Sequence, residues 1–401
     1  MVTFMTTNQP IYDLREHLDT IFQGHVLKNL KLLPDDSVDM VITSPPYYAK
    51  MLYETVPQEW GCDPNCDHEW EEDRRYIRFG IGKKHTLRHT QGDKHQETEK
   101  IAKFELCTKC NGFRGELGQE PHYEMFVQNL YDVFMEVHRV LKPKGQFYLN
   151  MGDTFYGSGS WGKIEVKEYG KFDTIEDNSP RARFSTILTG KDYKHKCMMM
   201  IPERLVMRLV DKGGWWLRNK IIWEIPNKKP ESMKDRFTQK YEHIFLLTKS
   251  RKYYADLDAV KIPSKTFLTD PRARKGKIIH YEGKSPATSE YRPPREHVNP
   301  GDVWKIPTAN LLESHFATFP EALLERPILF ASKKGDIVLD PFMGAGTTAL
   351  VAKKLERHFV GIELNPEYCD IIHRRFNTGG NLQAVYGRNI KKLFKKRRNK
   401  E

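Results

Sequence analysis

Asp340-Pro341-Phe342-Met343-Gly344-Ala345-Gly346-Thr347-Thr348 is the stretch on which the fold class turns. The apolar run Ile337–Leu339 before it reads as a strand, and Thr347–Leu355 after it reads as a helix. Glycines between a strand and a helix let the backbone pass close to a ligand. The helix start offers N–H groups with no partner inside the helix. About twenty residues on, Phe359–Ile362 reads as the next strand and ends at Glu363. A carboxylate there suits the two hydroxyls of a ribose, as in nucleotide-binding sheets. A plain tight turn is the bland alternative for Gly-x-Gly alone, and the acid at the right distance argues against it. The third glycine of a pyrophosphate binder is missing, which disfavours a dehydrogenase.

A second motif lies near the other end of the chain. Val38–Thr43 (VDMVIT) is β-branched and apolar and opens into Ser44-Pro45-Pro46-Tyr47. Two prolines end a buried strand because they cannot join its ladder. Mere punctuation is one reading, and chemistry is the sharper one. An exocyclic amino group on a base is a poor nucleophile, since its lone pair is delocalised into the ring. Two acceptors on its hydrogens, Ser44 Oγ and the Pro45 carbonyl, would draw the nitrogen towards a tetrahedral state. The locked proline φ fixes the direction of that carbonyl. Tyr47 would stack on a base turned out of the helix.

Between the motifs the pattern is that of a mixed sheet. Tyr123–Leu141 carries apolar residues at helical spacing and stops at Lys142-Pro143-Lys144-Gly145. Gln146–Asn150 reads as a strand, Tyr156–Lys196 as a long loop and Ile201–Leu209 as a helix. Leu217–Ile225 and Tyr241–Thr248 read as strands, and Pro320–Phe330 as a helix. Strands alternate with helices at both ends of the chain, so the expected fold class is α/β, one sheet assembled from both ends.

The 401 residues, 39% hydrophobic, suffice for a sizeable core. Lys and Arg number 65 against 53 Asp and Glu, a net charge of +12 that favours a polyanionic partner, nucleic acid first. No apolar run is long enough for a membrane span, and Met1–Pro10 lacks the features of a secretory signal, so a cytoplasmic protein without a membrane partner is expected. Six cysteines do not make a disulfide scaffold. Four of them cluster as Cys62, Cys66, Cys107 and Cys110 in the polar stretch Gly61–Gly118, with His68 beside them. A Cys-x-x-Cys knuckle with a second pair of Cys or His is a structural zinc pattern, the alternative being unligated thiols in a loop.

The two motifs together resemble those of the S-adenosylmethionine-dependent amino-methyltransferases of restriction–modification systems. Ser-Pro-Pro-Tyr is similar to their catalytic tetrapeptide, and Asp-Pro-Phe-x-Gly-x-Gly-Thr-Thr to their cofactor motif. The catalytic motif comes first and the cofactor motif last, the order of the family's circularly permuted β group. Gly152-Asp153, the Gly214–Trp223 and Tyr241–Phe245 stretches, Gly301–Pro307 and His315–Glu321 extend the resemblance over most of the chain. It implies a Rossmann-like methyltransferase sheet and S-adenosylmethionine as cofactor. Asp340, Phe342, Gly344, Gly346 and Thr347 would line the methionine part, Glu363 would hold the ribose, and Phe316 and Pro320 would pack nearby. Ser44, Pro45, Pro46 and Tyr47 would be catalytic. The sulfonium is already a good leaving group, so Ser44 takes a hydrogen-bonding role, and the released proton goes to its surroundings or to water.

The resemblance also divides the chain. Residues 1–60, 120–255 and 305–390 form the catalytic and cofactor-binding domain, and 61–119 a zinc-binding insertion. Residues 256–304 form a target-recognition region, and 391–401 a basic tail. Relatives with such an insertion keep Cys-x-His and Cys-x-x-Cys, which favours Cys66, His68, Cys107 and Cys110 as ligands, with Cys62 as the alternative fourth. Arg272, Arg274, Lys275 and Lys277 are the expected DNA contacts. The implied substrate is duplex DNA, with a cognate restriction endonuclease as possible partner. Ser-Pro-Pro-Tyr favours cytosine N4 over adenine N6 as the methylated atom. An inactive DNA-binding protein on the same fold is the alternative from another class. One departure stands out: Gly24-His25 occupies the place of the family's usual Gly-Asp before the catalytic strand.

Overall fold

The computed structural model describes residues 2–377, except 7–8, 12, 51, 54, 79–98, 157–195, 232, 266, 268–278, 281–289, 292–294 and 309–319. The first half runs β1 (Thr3–Met5), β2 (Thr20–Gln23), α1 (Val26–Leu32), β3 (Val38–Thr43), β4 (Gln58–Trp60), β5 (Trp70–Arg78), β6 (Glu99–Cys107), β7 (Phe113–Gly115), α2 (Tyr123–Val140) and β8 (Leu141–Met151). The second half adds α3 (Ile201–Gly213), β9 (Trp216–Glu224), β10 (Tyr241–Thr248), β11 (Val303–Lys305), α4 (Glu321–Ala331), β12 (Ile337–Asp340), α5 (Thr347–Lys354), β13 (His358–Glu363) and α6 (Pro366–Asn377).

Nine strands form one sheet in the order β1-β2-β13-β12-β3-β8-β10-β9-β11. Every pairing from β1 to β8 is parallel, and β10 runs antiparallel to both its neighbours. Helices cover both faces, so central strands must be apolar on both sides. β3 shows this directly. Val41 packs in one core with Leu30, Leu130, Phe134 and Phe147. Met40 and Ile42 pack in the other with Tyr148, Val338, Leu324 and Ile328. A run such as VDMVIT, apolar from Met40 to Ile42 with the half-buried Asp39 near its start, is what that placement demands.

α2 lays Phe126, Leu130, Val133, Phe134 and Val137, all fully buried, along a single stripe. It ends at Val140 because Leu141 is extended, with φ −71° and ψ 132°. The chain then enters β8 directly, with Lys142–Gly145 inside the strand, so the strand begins five residues before the expected Gln146. A register shift opposite Val38–Met40 absorbs the proline-containing segment.

A separate four-stranded antiparallel sheet, β4-β7-β6-β5, carries the cysteine-rich region. In the 256–304 region Ile262–Pro263 pairs with His297–Val298, and Ile279–His280 with Glu290–Tyr291. Among the described residues no helix is long and apolar enough to cross a membrane.

Candidate functional site

β3 and β12 are hydrogen-bonded neighbours, so the two motifs, far apart in sequence, emerge side by side at the carboxyl end of the sheet. Thr43 Oγ1 donates to Asp340 Oδ1 at 2.6 Å, and Thr348 Oγ1 donates to Asp340 Oδ2 at 2.6 Å. The Phe342 N–H adds a bond to Oδ1 at 3.0 Å. Asp340 is almost completely buried, and that burial pushes its carboxyl up to about 6 against the pull of these donors. Both of its oxygens therefore engage the protein, tying the Ser-Pro-Pro-Tyr strand to the glycine turn.

In that turn Gly344 and Gly346 have φ of +53° and +77°. Gly346 caps α5, and a Cβ there would lie 2.8 Å from Ile372 Cγ1. A Cβ on Gly344 would meet nothing nearer than 4.0 Å, so this glycine borders open space. Its N–H donates to Glu363 Oε2 at 2.7 Å, while the Asn365 N–H donates to Oε1 at 2.7 Å. Burial pushes the Glu363 carboxyl up to about 7 despite these two backbone donors. Thr347 is buried and its Oγ1 accepts from Arg375 Nη1 at 3.1 Å. Phe342 is half-buried against the core, and Pro320 is buried at the N-cap of α4. Phe316 lies outside the described residues.

His25, where an acid was expected, is the N-cap of α1. Its Nδ1 accepts from the Leu27 N–H at 3.1 Å, and its ring lies 4.3 Å from that of Trp60. Burial holds it down to about 4, so it is a neutral cap.

At the end of β3, Ser44 is half-buried and Pro45 buried. Ser44 Oγ donates to the Tyr47 hydroxyl at 3.2 Å. The Tyr47 hydroxyl lies 2.8 Å from Glu242 Oε2 on β10 and 3.1 Å from Asn150 Oδ1 on β8. Burial, and then the facing Glu242, hold the phenol well above its ordinary value. Lys50 Nζ sits 5.0 Å from the Tyr47 ring centroid.

Cys66, His68, Cys107 and Cys110 bring their ligand atoms within 4.8 Å of one another. Cys66 Sγ is 3.8 Å from Cys107 Sγ, and Cys110 Sγ is 3.4 Å from His68 Nδ1. The knuckle is folded by the Asn111 N–H to Cys107 carbonyl bond and the Cys107 N–H to Gly112 carbonyl bond. Cys62 packs against this loop: a Cβ on Gly112 would meet its Sγ at 2.6 Å, and its thiol points to the Trp60 carbonyl at 3.5 Å. Three soft or borderline sulfur donors and one imidazole in a closed cluster are a donor set that suits zinc. Arg272, Arg274, Lys275 and Lys277 lie outside the described residues, as do the basic tail and residues 157–195 of the expected Tyr156–Lys196 loop.

A family model described as N6/N4 DNA methylase matches residues 38–374. The chain belongs to that family. Among its relatives, the Type II methyltransferase M.SmaI of Serratia marcescens is 36% identical over 264 residues, 66% of this chain and 78% of the relative. M.Cfr9I of Citrobacter freundii, also a Type II methyltransferase, is 33% identical over 89% of this chain and 87% of its own. The DNA adenine methyltransferase YhdJ of Escherichia coli is 25% identical over 93% and 87%. The solved PvuII cytosine-N4-specific DNA methyltransferase shares the fold, with a TM-score of 0.50 at 16% identity, covering 96% of this chain and 93% of that one.

Within this N6/N4 methylase fold the structure adds residues that sequence reasoning missed. Glu242 and Asn150 reach the tetrapeptide from strands 195 and 103 residues away. Gly118 braces it from behind: its carbonyl accepts the Ala49 N–H at 2.7 Å, and a Cβ there would press on the Tyr47 carbonyl at 3.0 Å. The buried Glu120 carboxylate holds this brace through the Gly118 N–H at 2.7 Å. An acid and a glycine within a polar segment carry no pattern that would single them out.

Proposed function

We propose that the chain transfers a methyl group from S-adenosylmethionine to the exocyclic N4 of cytosine in duplex DNA, with the target base turned out of the helix. The observation that carries this reading is the juxtaposition of the Ser44–Tyr47 loop and the glycine turn, locked by the Thr43–Asp340 bond of 2.6 Å. That bond sets an amine-recognising loop beside a turn with open space at Gly344 and a buried carboxylate at Glu363. The bound cofactor supplies an electrophilic methyl on a sulfonium. Phe342, Gly344, Gly346 and Thr347 would shape its methionine side, Phe316 and Pro320 would pack near it from the other side, and Glu363 would accept the ribose hydroxyls. Asp340 serves by holding the turn to β3. Ser44 Oγ and the Pro45 carbonyl accept from the amine, Pro46 stiffens the loop, and Tyr47 stacks on the base. Positioning supplies most of the rate.

Serine in the tetrapeptide favours cytosine. The likeness to an adenine methyltransferase over 93% of the chain is the observation that favours the second reading, adenine N6. The order of the motifs supports membership of the permuted β group. The cysteine-histidine cluster supports a structural zinc on Cys66, His68, Cys107 and Cys110 in a 61–119 insertion. We assign sequence recognition to 256–304 with Arg272, Arg274, Lys275 and Lys277, and, on the Type II designation of the relatives, a cognate restriction endonuclease as partner. Ser44→Ala tests the catalytic assignment: methyl transfer should fall by about 10²-fold or more with cofactor binding retained. Full turnover in that variant would remove Ser44 from the mechanism.

A further inference from the structure

The Tyr47 hydroxyl has three oxygen neighbours and one proton, and the neighbours dictate where that proton goes. Glu242 Oε2, at 2.8 Å, belongs to a carboxylate and can only accept. Asn150 donates its Nδ2 to the His243 carbonyl at 3.0 Å, which turns its Oδ1, 3.1 Å from the phenol oxygen, into a second acceptor. The phenol proton is therefore spent on the Glu242 side. Ser44 Oγ, at 3.2 Å, must then donate its own proton to the phenol oxygen. What remains on Ser44 Oγ is its lone pairs, the state needed to accept from an amine N–H.

We propose that Glu242 is a positioning residue that sets the direction of this chain and, through Tyr47 and Ser44, takes up the proton released by the target amine. The inference rests on the amino-methylation reading above. As the nitrogen lone pair forms the new N–C bond and the S–C bonding pair leaves with sulfur, one amine proton moves to Ser44 Oγ. The Ser44 proton moves to the Tyr47 oxygen, and the Tyr47 proton moves to Glu242 Oε2. The sulfonium's positive charge and the carboxylate's negative charge are both neutralised, so the transfer leaves neither of these two charges behind. Tyr47 receives the Ser44 proton as it gives its own to Glu242, so it begins and ends the step as a neutral phenol. Serine, unlike an acid, has no basicity of its own, and a carboxylate two bonds along supplies it. Asn150 serves by keeping the phenol proton on the acceptor side.

The test uses the full-length protein, its methylation of genomic DNA first confirmed by mass spectrometry of the nucleosides. Failure at that step refutes the proposed function and not the relay. Glu242→Gln keeps the size and one acceptor but cannot take up a proton. Its kcat should fall by about 10²-fold or more, with KM for DNA and cofactor unchanged. Fluorescence of a duplex carrying 2-aminopurine at the methylated position should also match the parent, a readout independent of turnover. Tyr47→Phe breaks the chain at its middle, so adding Glu242→Gln to it should cost no further rate. Glu242→Ala should regain rate on addition of formate, a small carboxylate able to enter the space left. A Glu242→Gln kcat within threefold of the parent, or losses that multiply in the double variant, would overturn the proposal.

Discussion

Gly344 and Gly346 sit two residues apart in one turn, both with left-handed backbone, yet alanine should harm them in different ways. At Gly346 the new Cβ would stand 2.8 Å from Cγ1 and 3.0 Å from Cγ2 of Ile372, a residue with no exposed surface and no room to swing aside. The left-handed conformation costs a non-glycine residue about 1–2 kcal/mol. Overpacking a closed core costs about 1–3 kcal/mol more. Gly346→Ala should therefore lose about 2–5 kcal/mol of unfolding free energy, a large share of the ~5–15 kcal/mol typical of a domain. At Gly344 the nearest atom is 4.0 Å away, so only the backbone cost of about 1–2 kcal/mol applies. Its methyl would instead project into the space assigned to the cofactor, and affinity for S-adenosylmethionine should collapse. Urea unfolding gives the first quantity, from the midpoint at unchanged slope, and calorimetric titration gives the second. Ile372→Ala should be partly compensatory in the Gly346→Ala background, because the added methyl fills part of the cavity it leaves. A Gly346→Ala protein within 0.5 kcal/mol of the parent, or strict additivity with Ile372→Ala, would refute the reasoning.

Two further outcomes follow from the same geometry. Glu363 has a folded-state value of about 7 against an ordinary 4.5, so the folded chain holds this proton more tightly than the unfolded one. Its contribution to stability is full below pH 4.5 and lost as pH rises through 7, at most about 3 kcal/mol. The unliganded protein should thus melt lower at pH 8 than at pH 5, and Glu363→Gln should flatten that slope; an identical slope in both proteins would contradict the burial argument. The purified chain should carry zinc by elemental analysis. Stripping the metal should expose β5–β7 to hydrogen exchange while the nine-stranded sheet stays protected, and a metal-free protein with full protection there would count against the site.

What the sequence made legible, and what it hid, follows from range. VDMVIT and Ile337–Asp340 are readable because strands buried on both faces carry consecutive apolar residues, Met40–Ile42 in one and Ile337–Leu339 in the other. The Ser44–Tyr47 loop and the glycine turn are readable because each is contiguous. Asp340 was expected beside the cofactor, and its binding to Thr43 and Thr348 was invisible, since the first of these bonds spans 297 residues. Glu242 looked like an ordinary polar start to an apolar strand, Tyr241–Thr248. Only the pairing of β10 with β8 brings it against Tyr47. The start of β8 was missed because Lys-Pro-Lys-Gly normally signals a turn. Here Leu141 pairs with Val38 before the proline, and the register shift accommodates the interruption.

The most direct test is incubation of the purified chain with labelled S-adenosylmethionine and genomic duplex DNA, followed by digestion and mass spectrometry of the nucleosides. N4-methylcytosine, absent with Ser44→Ala, is the expected product. N6-methyladenine would contradict the assignment of the base, and DNA without any labelled base, from a protein that still binds the cofactor, would contradict amino-methylation itself.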